Sequence, residues 1–455
     1  MDRLTVVDEI FLRTHRGMGT PIALQGLWRI PDAMDPALLH AIHTHLRTGP
    51  LARRVAASRV PGARRTWQLN TRAHPLDLHG FTPPSTTATA TEPGPLAPSA
   101  NTSARFTAAV PPAAASTSAA ITPAVAGGEP LGEEAILPWA DLLGCGLDPE
   151  FGPGWRLSAA ALHNGGTVVA LTCSHALADA RGLIHAVATA LDQLATGHPV
   201  EPTRTSGRSD WADARAQWST IITGTARALR RGLPKPPATV EPDTTPGRTV
   251  HSTLLTFDAA AWDGTAADAG GTPNSLFIHL VANILWESGF DRPVLAASLP
   301  VDTRDEPRVD NDLAVTEIEI VRADTPATLR DKARAAYQRR MTSPAGLPEE
   351  ILQVLSDRWA YALSKGAGER DILCSNIGTL PNTLRTVGPH HCDRVAARAI
   401  HPGLTTFPRT RLSGYLSRLG DTYTLALVGL AASPETLTPA ITDTCHTAGL
   451  TPTAW

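Results

Sequence analysis

The chain has 455 residues, of which 42% are hydrophobic and 18% are charged, and its formal net charge is −3. This apolar content supports a sizeable core, which excludes a wholly disordered chain, and the lack of a basic excess argues against nucleic acid as a partner. The five cysteines form no CxxC pair, so the sequence indicates neither a disulfide framework nor a thiolate metal site, and we expect a reducing, cytoplasmic environment.

The start of the chain predicts a helix, a strand and a second helix. The letters DEIFLR open the first helix, with Asp8 as its expected cap, and IALQGLWRI at 22–30 has the composition of a strand. Apolar residues then recur at helical spacing from 35 to 51, where Asp35 suits the N-cap and Pro36 the first helical position. This order begins a mixed α/β lobe.

Residues 81–130 differ sharply in composition from the rest of the chain. Ala, Thr, Ser, Pro and Gly fill 40 of these 50 positions. So few apolar side chains cannot offset the entropy that is lost on ordering. We therefore predict a flexible low-complexity insertion inside an N-terminal lobe that covers residues 1–200.

Two strands and a helix follow this insertion. The strands WRLSAAAL (155–162) and TVVALTC (167–173) flank the turn HNGG, and a helix is predicted at 179–196. The Pro-rich segment 201–248 surrounds a helical pattern at 210–232. It therefore suits a connector between two lobes.

The C-terminal lobe, residues 249–455, again mixes strands and helices. Strands are predicted at 250–257, 294–300, 312–321 and 371–375, helices at 274–288, 327–341, 347–365 and 434–449, and a hairpin at 411–429 that turns at Gly420-Asp421. Alternation of this kind in both halves predicts an α/β class with two similar lobes.

The segment that most clearly indicates a catalytic site is SHALADARG, residues 174–182, directly after an apolar strand. His175 and Asp179 are separated by three residues. A strand end places His175 in a loop where it can face a cavity. Asp179 can begin the next helix, where it can fix the loop by capping or by pairing with a cation.

This segment resembles the HHxxxDG motif of the chloramphenicol-acetyltransferase-like superfamily, which includes condensation domains, plant BAHD acyltransferases, wax ester synthase/diacylglycerol acyltransferases and polyketide-associated acyltransferases. Ser174 replaces the first histidine, as the HxxxD core of BAHD enzymes allows, and Ala180 replaces the glycine. Further resemblances follow in family order: RLTVVDEIFLRTHRGMGTPIALQGLWRI, GPLARRV, LAASLPVDTRDEPRVDNDLA, CSNIGTLP and SGYLSRLGDTYTLALVG.

The resemblance implies two chloramphenicol-acetyltransferase-like lobes with an active-site channel between them. It implies transfer of an acyl group from acyl-CoA or an acyl-phosphopantetheinyl carrier protein to a small-molecule alcohol or amine, without a permanently bound cofactor or metal. His175 is then the general base, and Asp179 is a structural residue. Arg304 is the candidate partner of Asp179, with a plain surface arginine as the alternative.

Other residues carry weaker hypotheses. The backbone N–H after His175, or Ser375 and Asn376, could stabilise an oxyanion, although these two could equally form a turn that packs the second lobe. Ser174 could contact substrate, bond locally or widen the pocket. Ser417 reaches the channel in relatives, but a plain strand serine is the preferred interpretation.

Two constellations are interpreted as structural. Cys173 beside His175 invites a nucleophile hypothesis, yet strand alternation favours a core cysteine. The run Pro389 to Asp393 (PHHCD) resembles a metal cluster, but a loop is favoured because no second ligand set is evident.

Alternatives remain for the function and for the surroundings of the protein. The altered doublet also fits a non-catalytic scaffold that recruits a carrier protein or partner enzyme, and the same scaffold could perform cyclisation or epimerisation.

The sequence shows neither a signal peptide nor an apolar run of about 18 residues. The basic amphipathic segment 218–235 could touch an anionic membrane surface, but an ordinary surface helix on a monomer is the preferred interpretation.

Overall fold

The computed structural model describes residues 3–81, 127–197, 209–231, 250–338, 347–364, 369–404, 406–430 and 433–455. Nearly all of the insertion predicted at 81–130 lies outside the described residues. Of the connector predicted at 201–248, only the helical part is described.

The helices are α1 (Val6–His15), α2 (Pro36–Thr48), α3 (Ile136–Leu142), α4 (Ala180–Thr196), α5 (Asp210–Arg231), α6 (Ala259–Asp268), α7 (Pro273–Glu287), α8 (Pro326–Gln338), α9 (Ile351–Val354), α10 (Asp357–Ser364) and α11 (Pro434–Thr447). The strands are β1 (Ala23–Ile30), β2 (Arg53–Ala56), β3 (Thr66–Leu69), β4 (Asp77–His79), β5 (Trp155–Ala161), β6 (Thr167–Ser174), β7 (His251–Asp258), β8 (Val294–Asp302), β9 (Leu313–Val321), β10 (Ile372–Thr379), β11 (Thr386–Val387), β12 (His390–His391), β13 (Arg394–Ile400), β14 (Leu412–Leu419), β15 (Thr422–Gly429) and β16 (Thr453–Ala454).

The first lobe is built on a five-stranded sheet with the order β13-β1-β6-β5-β4. Strand β1 pairs antiparallel with both β6 and β13, so both of its edges are hydrogen-bonded. Helix α4 buries Leu183, Ala186, Val187 and Ala190, a spacing that forms one helical face. That face packs in the same core as Leu27 and the fully buried Trp155.

The second lobe is built on a seven-stranded sheet with the order β16-β7-β15-β14-β10-β8-β9. Helix α7 is apolar around most of its circumference, and Phe277, Ile278 and Val281 are completely buried. A helix of that kind must lie inside a core, and α7 packs among β10, β14, α6, α8 and α11. The chain therefore has the two-lobed α/β architecture that its sequence predicts.

Several local predictions are confirmed because their signals lie within a few residues. Asp35 caps α2 by accepting from the N–H of Ala37 at 2.8 Å, and Pro36 is the first helical residue. Strands β5 and β6 pair across the predicted turn, and β14 and β15 form the predicted late hairpin.

Two other local predictions are wrong. Thr5 rather than Asp8 caps α1, and Asp8 accepts from the Thr5 N–H as the third residue of a capping box. The single helix predicted at 347–365 is two short helices that break at Leu355, which is extended. The second of them, α10, begins at Asp357, whose carboxylate pairs with Arg16 of α1.

Strand β13 carries chain from the second half into the first sheet, and the sequence pattern did not reveal it. Its residues RVAARAI lack regular alternation, since five of the seven are buried. Because β13 pairs with β1, the chain leaves the second sheet after β10, adds one strand to the first sheet and returns to the second sheet at β14. Among the helices in the described part of the chain, none combines the length and the apolarity needed to cross a bilayer.

Candidate active site

A cavity of about 830 Å³ is lined by residues of both lobes. His175 and Asp179 contribute from the loop after β6 and from the start of α4, while Ser298, Pro300 and Ser375 contribute from β8 and β10. The strand–loop–helix junction that carries the HxxxD segment therefore opens onto this cavity.

The imidazole of His175 is held by contacts on two sides. Its backbone N–H donates to the carbonyl of Ile22 at 3.3 Å, which joins the loop to the start of β1. Its ring stacks on Phe11 of α1, with 3.5 Å between centroids and 12° between planes. The backbone bond fixes the loop, and the stacked Phe11 ring restricts the rotation of the imidazole.

Asn311 determines which imidazole nitrogen carries the proton. Its Nδ2 donates to the carboxylate of Asp8 and to the backbone carbonyl of His175, both at 2.8 Å. Because these two partners only accept, the amide is oriented with Oδ1 toward the ring. Oδ1 lies 3.0 Å from Nδ1 of His175. Nδ1 is therefore the donor, and Nε2 keeps its lone pair.

Asp8 of α1 holds the side chain of Asn311 in this orientation. The side chain is completely buried and accepts from the Asn311 backbone N–H at 3.1 Å as well as from its amide. Burial raises the pKa of Asp8 to about 6, although Arg53 opposes the shift. Asp8, Asn311 and His175 thus form a chain of hydrogen bonds that begins in α1 and ends at the cavity.

The electrostatics favour a neutral His175. Burial lowers its pKa from the usual 6.5, and Asp179 and Asn311 only partly offset this effect. His401 also lines the cavity, donates Nδ1–H to the Pro21 carbonyl at 3.1 Å, and has its pKa lowered to about 4, mainly by burial. A neutral imidazole whose Nε2 is unprotonated can accept a proton.

The tautomer can be checked without any substrate. In protein labelled with ¹⁵N-histidine, we expect His175 at pH 7 to show a protonated Nδ1 and an unprotonated Nε2. Its titration midpoint should lie below 6.5 because burial disfavours the cation. Nitrogen NMR measures both, His175→Ala assigns the signal, and Asn311→Leu should shift the proton toward Nε2. A proton on Nε2 in the unmodified protein would contradict the assignment.

Both carboxylate oxygens of Asp179 accept hydrogen bonds that anchor the loop. Its Oδ1 accepts from the Gly182 N–H at 2.8 Å, as a helix N-cap does. Its Oδ2 accepts from Nη2 of Arg304 at 2.6 Å and from the Asp312 N–H at 3.1 Å. Both ion-pair side chains are only 7% exposed. This contact ties the HxxxD segment to the second lobe.

Gly182 makes that close contact geometrically feasible. A Cβ at this position would lie 2.4 Å from the carbonyl oxygen of Val309. The first turn of α4 therefore packs directly on the backbone of the segment that carries Arg304 and Asn311. Any larger residue at position 182 would push the two lobes apart.

The structure distributes the other candidate residues between the cavity and the interior. Ser375 and Asn376 line the cavity, and Asn376 donates to Asn274 of α7 at 2.9 Å. The N–H after His175, that of Ala176, donates to the Ser174 hydroxyl at 3.3 Å. Ser174 and Ser417 are 3% and 2% exposed and lie outside the described cavity lining.

The surroundings of Cys173 and of the PHHCD run favour neither a nucleophile nor a metal site. Cys173 is buried, and burial raises the pKa of its thiol to about 12, which suppresses the nucleophilic thiolate. Instead of the predicted loop, His390 and His391 form a short strand opposite Thr386 and Val387. In the described ranges no cluster of three His, Cys, Asp or Glu side chains suits a metal ion.

Sequence reasoning missed Asp8 as a site residue, and it missed Phe11, Asn311 and His401 altogether. Asn311 lies within the PVDTRDEPRVDN stretch that resembles the family, so its position was visible although its contact was not. His401 follows a strand that the pattern did not reveal. Phe11 and Asp8 read as ordinary residues of an amphipathic helix.

Neither a protein-family profile nor a curated protein matches the chain. Several solved structures do. The first condensation domain of the calcium-dependent antibiotic synthetase, in complex with a substrate analogue, matches with a TM-score of 0.56 and 14% identity, over 98% of this chain and 97% of that one. Polyketide synthase associated protein 5 from Mycobacterium tuberculosis matches with a TM-score of 0.55 and 13% identity, over 98% and 97%.

A third similar structure is the epimerization domain from the third module of tyrocidine synthetase B. Its TM-score is 0.55 at 12% identity, with 98% of this chain and 94% of that one covered. Identities this low establish the architecture and leave the reaction open. With coverage of nearly the whole chain in each comparison, the protein has the chloramphenicol-acetyltransferase-like fold of condensation domains.

Proposed function

We propose that the protein is an acyltransferase that moves an acyl group from a CoA or carrier-protein thioester to an alcohol or amine. The observation that carries this proposal is the position of His175 in the cavity lining, with its Nδ1 3.0 Å from Oδ1 of Asn311 and its pKa lowered by burial. Structural similarity to condensation domains and to a polyketide synthase associated protein supports the same class.

In the proposed reaction, Nε2 of His175 takes the proton of the acceptor O–H or N–H as that atom attacks the thioester carbonyl carbon. A tetrahedral oxyanion results. Its collapse reforms the carbonyl and breaks the C–S bond, and the leaving thiolate takes the proton from Nε2. The imidazole is neutral again at the end, so no covalent enzyme intermediate is required.

The remaining residues have supporting roles in this proposal. Asn311 acts as a positioning residue because it holds the productive tautomer. Asp179 and Arg304 maintain the loop. The Ser375 hydroxyl is the proposed oxyanion donor, since the Asn376 amide is engaged by Asn274 and the Ala176 N–H by Ser174. Base function should disappear as the pH falls through the lowered pKa of His175, since a proton then occupies Nε2.

The test supplies purified protein with acyl-CoAs and acyl-loaded carrier proteins together with pooled alcohols and amines. Mass spectrometry should detect an ester or amide, and thiol release should match it in amount. Thiol release without an acylated acceptor would indicate hydrolysis instead. Altered stereochemistry or ring closure in a carrier-bound substrate would favour the epimerisation or cyclisation alternative. Carrier-protein binding with every thioester intact would favour a recruiting scaffold.

A further inference from the structure

One part of the cavity is a groove that runs along β1 away from His175. Leu24, Gly26 and Trp28 alternate along the strand, so they share one face, and all three line the cavity. The register places them opposite Ala399, Ala397 and Val395 of β13, which line it too. We call this groove, with its two strands as the floor, the apolar arm.

The opposite side of the apolar arm is equally apolar. Leu183, Ile184 and Val187 project from α4 at a spacing that puts them on one helical face, and all three line the cavity. Leu380 and Leu384 contribute from the segment that follows β10. The small side chain of Ala397 leaves space between these surfaces, whereas the space over Gly26 holds the indole of Trp28.

Trp28 closes the far end of the apolar arm. Its ring folds back along the strand: a Cβ on Gly26 would lie 2.8 Å from Cη2 of the indole. The side chain is 5% exposed, and Nε1 has no hydrogen-bond partner among the described residues. Packing alone therefore holds the ring across the groove, and a smaller side chain would open it.

The strand geometry gives the length of the groove. From Ile22, which contacts the His175 backbone, to Gly26 is four residues, or about 14 Å. An extended chain advances about 1.2 Å per bond, since three backbone bonds span about 3.5 Å. About eleven carbons thus fit before the indole ring. Two more residues to Trp28 itself would add about 7 Å, or roughly five carbons.

We propose that the apolar arm binds the acyl chain of the donor thioester and that Trp28 limits its length to about ten or eleven carbons. This inference rests on the proposed acyltransferase function. It assigns a medium-chain fatty acyl group as the substrate class. Trp28 is the residue that determines chain-length specificity.

Binding can be measured without turnover. The probes are S-alkyl pantetheine thioethers of 4 to 16 carbons, which cannot be cleaved, titrated calorimetrically into the full chain below their micelle concentrations. Affinity should rise about threefold to fourfold for each methylene, as burial of a CH₂ predicts, up to ten or eleven carbons. We call the chain length at which the affinity stops rising the break. Chains longer than the break should gain no affinity or bind more weakly.

Two variants and a matched control locate the break. Trp28→Ala should move it by about four or five carbons, and Trp28→Phe, which preserves more of the core, by about two. Trp211→Ala removes an indole that is 73% exposed and should leave the break unchanged. Circular dichroism establishes that each variant is folded. An unmoved break in the folded Trp28→Phe protein would overturn the proposal, as would affinity that keeps rising to 16 carbons in the unmodified chain.

The readout separates this inference from the function on which it rests. A break that moves with Trp28 while no acyl product forms would retain the apolar arm and reject acyl transfer. Product formation with no chain-length dependence of binding would retain acyl transfer and reject the apolar arm.

Discussion

Replacement of His175 by Ala is expected to lower the rate constant of acyl transfer by about 10²–10⁴-fold, the usual contribution of a general base. The reason is local: Nε2 of His175 is the proposed proton acceptor, and the contact of Nδ1 with Asn311 holds the tautomer that this role needs. Single-turnover product formation, followed by mass spectrometry, measures the loss. KM should change little, because the imidazole acts on the transition state rather than on ground-state binding.

Two comparisons make the result specific. His163→Ala removes an exposed imidazole from the β5–β6 turn and should leave the rate unchanged. Asn311→Leu keeps His175 but removes the oxygen that holds the proton on Nδ1. The rate of acyl transfer should therefore fall, and its dependence on pH should change shape. A His175→Ala protein that is folded and fully active would remove the assigned base and, with it, the proposed mechanism.

The second large effect is expected on stability, at the ion pair between Asp179 and Arg304. Arg304→Met should lower the free energy of unfolding by about 3–5 kcal/mol, because it leaves the Asp179 carboxylate buried without its cation. Asp179→Asn should cost a similar amount by stranding the guanidinium, whose side chain is only 7% exposed. Urea-induced unfolding, monitored by tryptophan fluorescence, gives each value.

The double variant tests whether the two effects share one cause. If the ion pair is responsible, Asp179→Asn with Arg304→Met should lose much less than the sum of the single losses. Arg330→Met, in a surface pair with Asp331 at 39% and 66% exposure, should cost below about 1 kcal/mol. Additive losses in the double variant would show that Asp179 and Arg304 stabilise the fold independently.

Much of the secondary structure could be predicted because its signals are local. The apolar runs of β5 and β6, the turn between them, and the Asp35-Pro36 start of α2 each involve neighbours in the chain. Strand β13 could not, because Arg394 and Arg398 interrupt its short apolar run, so that it shows neither a continuous apolar stretch nor a regular alternation. The break at Leu355 precedes α10, whose Asp357 pairs with Arg16 at the end of α1, and local spacing does not report a contact between such distant parts of the chain.

In the candidate site, too, some features follow from local sequence and others depend on contacts between distant residues. By itself, the sequence determined the strand–loop–helix around His175 and Asp179, because spacing and helix capping act within a few residues. Only the tertiary structure decided the proton position on His175, through Asn311, which is 136 residues away, and through Asp8, which is 303 residues from Asn311. Hydrogen bonds between such distant residues depend on how the lobes pack, and no local pattern records that packing.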